Sequence, residues 1–85
     1  MANPKVFSVL DSSTGIFGQP FLQVNRLQAM RSFSDLSKQE GQVMCQHPTD
    51  FCLMELGSFD DLTGQFVGLV APQVVMTAVE GKEVK

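Results

Sequence analysis

Four residues in the middle of the chain, Cys45, His47, Asp50 and Cys52, are of the types that bind metals or run nucleophilic chemistry. Zinc takes thiolate and imidazole ligands, and a structural site wants four, usually with two cysteines two to four residues apart. The spacing here is Cys-x-His-x4-Cys, and Cys52 falls inside an apolar run that reads as a strand. We therefore expect no metal and no cofactor. A cysteine nucleophile would need the histidine as base and a third group to orient it. His47 has no evident orienter and stands before Pro48, as a loop histidine does.

Asp50, Glu55, Asp60 and Asp61 offer paired carboxylates for acid–base work or a cation. Calcium-loop spacing is absent. Asp60 has a turn to cap, and Asp61 reads as solvated. No glycine-rich run followed by Lys-Ser/Thr opens a helix, so no phosphate loop is present. The expectation is a protein that is not an enzyme.

The cations remain. The six are Lys5, Arg26, Arg31, Lys38, Lys82 and Lys85, against nine acidic residues, for a net charge of −3. Affinity for nucleic acid comes largely from phosphate neutralisation, and an acidic sum works against it. Local clustering can still build a contact. Arg31 and Lys38 are seven apart on a helix and share a face, Arg26 stands at the helix entry, and Lys5 lies on the first strand. These four are the candidate phosphate contacts, with exposed Phe rings available to stack on bases. The competing reading pairs Arg31 with Asp35 one turn on and leaves Lys38 solvated.

The elements that must position these residues are announced by a phrase that occurs twice. Asp11-Ser12-Ser13-Thr14-Gly15-Ile16-Phe17 returns as Asp60-Asp61-Leu62-Thr63-Gly64-Gln65-Phe66. Asp accepts backbone N–H bonds from the residues after it, and Gly takes the positive φ that closes the loop. Each copy is expected at the tip of a β-hairpin. Four of seven positions coincide, too few to argue a duplication.

Strands are expected at 4–10, 16–22, about 51–59 and about 65–71. Gly18 and Pro20 interrupt the second, placing it at a sheet edge or bend. Asn25 caps a helix over roughly 26–38, with Gln28 three residues later. Leu27, Met30, Phe33 and Leu36, with Ala29, give it one apolar side. Gly41 is its stop signal. Residues 39–50 read as a loop. The fold expected is α+β: a ββαββ antiparallel sheet of two hairpins with one helix across it, over 1–71. Residues 72–85 are a C-terminal tail. Its apolar Val74-Val75-Met76 patch suits a short fifth strand or an arm on a partner subunit; disorder is the other reading.

Eighty-five residues make one domain of modest core, 44% hydrophobic, with Phe its only aromatic. No signal-peptide pattern opens the chain and no apolar run is long enough to span a membrane, so a cytosolic protein with reduced thiols is expected. Strands three and four are apolar on both sides, whereas a sheet covered on one side alternates. One helix covers one face. Another subunit, the tail or a ligand is the expected cover for the other, and a homodimer or larger homo-oligomer is the reading taken.

A series of short phrases also resembles a known family. It runs Lys5-Val6-Phe7-Ser8-Val9 into Asp11-Ser12-Ser13-Thr14-Gly15, then Gln19-Pro20-Phe21 and Arg31-Ser32-Phe33-Ser34-Asp35. It continues with His47-Pro48-Thr49-Asp50-Phe51-x-Leu53, Leu56-Gly57-Ser58-Phe59-Asp60 and Thr63-Gly64. In this order they are similar to the small nonstructural DNA-binding protein of gokushoviruses, single-stranded-DNA bacteriophages of the Microviridae. The resemblance covers about residues 5–66. It implies a DNA-binding protein of the infected bacterial cytoplasm that supports the switch from duplex replication to single-strand genome synthesis and packaging; single-stranded DNA is the expected partner. Of the family-like positions, Arg31 is the obvious phosphate contact. The other reading is an adaptor for viral or host replication proteins that does not touch DNA.

Overall fold

A computed structural model describes residues 3–83 of the chain. Its first strand, β1 (Lys5–Asp11), runs into the first Asp-x-x-Thr-Gly turn and returns as two short pieces, β2 (Ile16–Phe17) and β3 (Phe21–Gln23). Both pieces pair antiparallel with β1, Leu10 opposite Phe17 and Phe7 opposite Phe21. The break falls at the expected Gly18–Pro20 stretch. There Gly18 N–H donates to the Val9 carbonyl at 2.8 Å, and the Ser8 hydroxyl donates to the Gly18 carbonyl at 2.7 Å. The interrupted strand thus keeps its bonds while turning.

Helix α1 (Arg26–Lys38) begins where Asn25 predicts it. The Asn25 Oδ1 accepts from Gln28 N–H at 3.0 Å, satisfying one of the helix's free donors. Its buried side carries Ala29, Phe33, Ser34 and Ser37, flanked by Met30 and Leu36. Leu27, expected on that side, is exposed. The apolar arc is narrower than its spacing suggests, and serines complete it.

The stretch expected as a loop is ordered into one turn of helix, α2 (Val43–Gln46), and a 3-10 turn at 48–50. Met44 is the reason: it is buried in the main core. Strands β4 (Phe51–Asp60) and β5 (Gln65–Thr77) form the second hairpin. The sheet order is β2-β1-β4-β5, with β3 also on β1. All pairings are antiparallel.

The strand expected to end near 71 continues to Thr77, and helix α3 (Ala78–Glu83) follows. Ala78 and Gly81 are buried. The Ser34 hydroxyl donates to the Gly81 carbonyl at 2.7 Å, so α3 is docked on α1. The segment expected as a tail is a strand and a helix as far as Glu83; the rest of it, and the residues before Asn3, lie outside the described residues. The fold is α+β with a curled antiparallel sheet, as expected, but the plain ββαββ frame is elaborated by a split strand and two further short helices.

One core holds the layers together: Phe7, Leu53 and Met76 from the sheet, Ala29 and Phe33 from α1, Met44 from α2 and Ala78 from α3. Burial of these side chains supplies the main driving force, at about 25 cal/mol per Å² of apolar surface. The curl also buries Val6, Ser8 and Met54, whose strand positions alternate with the core residues and face away from α1. Further along that face and the β5 edge, Leu22, Phe66, Val67 and Val74 stay exposed.

Candidate nucleic-acid interface

The candidate cations divide into two groups. Lys5 sits at the start of β1, opposite Gln23 on β3 and Ser58 on β4. Arg26 is the first residue of α1. The two meet at Glu55, in the middle of β4. The Arg26 Nε donates to Glu55 Oε1 at 2.5 Å, and Lys5 Nζ lies 3.6 Å from Oε2. Arg26 also donates through Nη2 to Gln73 Oε1 on β5, at 3.1 Å. Glu55 pairs with Phe7 on one side and Gln73 on the other, so all three face α1.

The carboxylate is nearly covered, its side chain 7% exposed, while Lys5 and Arg26 remain 41% and 47% exposed. A buried carboxylate demands charged partners. Two cations answer one anion, so the cluster keeps a local charge of about +1 facing solvent. Glu55 and Gln73 also fix where the guanidinium points. A planar donor fork held in place is suited to an oxyanion such as a phosphodiester.

Arg31 and Lys38 are elsewhere. At roughly 100° per residue, Arg31 lies well over a third of a turn around α1 from Arg26. It is exposed, on the side of the helix away from the sheet. The Arg31–Asp35 pair does not form among the described residues. Lys38 ends the helix, where a cation suits the helix dipole. The four candidates therefore make a pair at the sheet and a second pair on the outer face of α1.

Beside the first pair, on the other face of the sheet, runs an apolar groove of about 360 Å³ lined by Val6, Pro20, Phe21, Leu22, Leu56 and Phe66. Phe66 is 69% exposed and leans on Phe59, ring centroids 4.9 Å apart. A second hollow of about 410 Å³ lies between the first turn and α2, with Asp11 its only charged wall. That carboxylate is engaged in the turn, accepting from Ser13 N–H at 3.0 Å and the Ser13 hydroxyl at 2.6 Å.

The other chemical candidates are spread out. Cys45 is on α2 and Cys52 on β4, both free thiols, and burial pushes the Cys52 thiol up. No group of three or more His, Cys, Asp or Glu side chains gathers as a metal site among the described residues. Asp60 caps its turn as expected, its Oδ1 accepting from Leu62 N–H at 2.9 Å and Thr63 N–H at 3.3 Å.

Sequence reasoning passed over Glu55 as a partner for cations. The signal was present: it is the one charged residue in the run Phe51–Phe59. Gln73 gave no signal, because its strand was expected to have ended.

The fold and the cluster together define a small α+β protein with a braced cationic pair on one face of its sheet and an apolar groove on the other. A family model described as the phage ORF5 protein matches residues 4–81, nearly the whole chain. The chain belongs to that bacteriophage protein family. No curated protein and no solved structure matches it.

Proposed function

We propose that this is a nonstructural phage protein that binds single-stranded DNA in the infected bacterial cytoplasm, without catalysis. The resemblance to the gokushovirus protein of the Microviridae supports a role in the passage from duplex replication to single-strand genome synthesis and packaging. The observation that carries the reading is the convergence of Lys5 and Arg26 on Glu55, which leaves both cations half-exposed with their heads side by side. Phosphates are neutralised at this pair, while Arg31 and Lys38 follow the strand along α1.

The test is fluorescence anisotropy of labelled oligo-dT, scanned over salt. Binding at low salt that weakens as salt rises is expected, with severalfold losses for Lys5→Gln and Arg31→Ala. Absence of binding at low salt overturns the reading.

A second reading is favoured by the net charge of −3: an adaptor for viral or host replication proteins that does not touch DNA. A pull-down whose partners survive nuclease treatment supports it, and loss of every partner on nuclease treatment removes it.

A further inference from the structure

From Leu62 to Val79 the chain carries no charged residue, eighteen positions and its longest uncharged run. The run covers all of β5, the edge strand of the sheet. Soluble proteins blunt such edges with charges, prolines or bulges, because an unpaired edge offers free N–H and C=O groups to any other strand; outside its central bulge this edge has neither charge nor proline. Here the edge exposes Phe66, Val67, Val70 and Val74 instead.

The strand also carries a knob. Between the Glu55–Gln73 and Gly57–Gly68 pairs, Leu69, Val70, Ala71 and Pro72 stand against the single residue Leu56. Four residues opposite one must bulge outward, and Pro72 is tolerated there because no ladder donor is needed. Val70, in this bulge, is fully exposed. The apolar groove walled by Leu56 and Phe66 lies against the same hairpin.

We propose that the β5 edge with its Leu69–Pro72 bulge is a self-association surface, occupied by the same surface of a second copy in a closed two-fold dimer. Three features select that occupant. On either side of the bulge, at Gln65–Gly68 and Gln73–Thr77, the edge is open to a strand, and β5 is one. The surface is neutral, so two copies with net charge −3 each meet at the longest stretch where no like charges are opposed. Finally, knob and groove lie on one chain, so a two-fold axis sets each Val70 knob against the other copy's groove and leaves no open end. The strip itself carries no cation; Arg26 reaches its Gln73 from the α1 face of the sheet, opposite the groove, and the Lys5–Arg26 pair stays half-exposed there.

Sedimentation velocity without DNA, from 1 to 100 μM, tests this independently of the DNA-binding reading. A species of twice the 9.3 kDa chain mass is expected at micromolar concentration. Val70→Asp should raise the dimer dissociation constant at least tenfold, with an unchanged far-UV circular dichroism spectrum. Val70→Ile should retain the dimer, as should Leu27→Asp, at an exposed site on α1. A monomer at 100 μM overturns the proposal. So does a dimer that Val70→Asp leaves intact, or growth into open-ended polymers.

Discussion

Glu55 is the residue on which the candidate interface turns. Its carboxylate is buried, and its nearest charge is the Arg26 guanidinium. Arg26→Ala leaves it with Lys5 alone, at 3.6 Å. An under-partnered buried polar group costs about 1–3 kcal/mol. We expect Arg26→Ala to lower unfolding free energy by that amount in urea. Arg31→Ala, which breaks no such pair, should change it by less than about 0.5 kcal/mol. Adding Glu55→Gln to Arg26→Ala should recover part of the loss, because the stranded charge is gone. Equal effects of the two arginines would refute the bracing role. The turn aspartates give a pH signature. Hydrogen bonds from Ser13, its hydroxyl first, hold Asp11 below the usual carboxylate value; the Leu62 N–H leads the same effect on Asp60. A carboxylate depressed in the folded state stabilises fully above its unfolded value, about 3.9. That contribution disappears as pH falls through the lower folded value. The urea midpoint should therefore fall between pH 5 and pH 2.5, with a small share from each exposed turn. Asp60→Asn keeps the turn's acceptor but removes its charge, and should flatten that fall. An acid limb identical to that of the unaltered chain would remove Asp60 as a contributor.

At the scale of elements, two glycines join segments that lack local instructions to meet. A Cβ on Gly57 would land on the Val67 carbonyl, with the Gly68 Cα at 2.9 Å. Both atoms are backbone, so neither yields without parting β4 from β5. Gly57→Ala should cost at least about 2 kcal/mol, the scale of overpacking a tight interior, read from the urea midpoint. Gly81 is the contact between helices: a Cβ there meets Ser37 Oγ at 2.9 Å and Ser34 Cα at 3.4 Å. Gly81→Val should undock α3, raising hydrogen exchange at 78–83 and in the last turns of α1; unaltered protection there would contradict this. These contacts mark how far the sequence could be read. The two turns were legible because Asp and Gly act within five residues, and both fold alike, Gly15 and Gly64 at φ 73° and 77°. The start of α1 was legible through Asn25 for the same reason. The helical turn around Met44 and the docking of α3 were not. Their stability comes from Leu53, Phe33 and Ser34, residues distant in sequence, and small side chains such as Ser34 and Gly81 leave no periodic signal. The interface was half legible: charge singled out Lys5 and Arg26, but their meeting depends on the register that sets Glu55 between them.

For the molecule as a whole, net charge and the geometry of the cations together limit how DNA binding would respond to salt. Each phosphate neutralised on a single strand contributes about −0.7 to the slope of log affinity against log salt. If the Lys5–Arg26 pair alone meets the strand, a protomer has a slope of about −1.4; if Arg31 and Lys38 also join, about −2.8. Arg31 and Lys38 stand about 7.5 and 18 Å further along α1 than Arg26, and on its far side, so a short oligonucleotide reaches one pair and a longer one reaches both. The slope should therefore steepen with oligo-dT length and then level off. Arg31→Ala should lower it only for the longer strands, and Lys5→Gln for all of them. The acidic remainder, Asp and Glu outnumbering Lys and Arg by three, keeps the affinity modest at physiological salt. Two protomers joined through β5 would present two sheet-face pairs on one particle. Binding to a strand long enough to reach both then exceeds that of one protomer without any new contact. Val70→Asp should abolish that gain while leaving the short-strand slope unchanged. A slope that is flat with length, or insensitive to Lys5→Gln, would mean that the cationic pair at Glu55 does not meet the phosphate backbone.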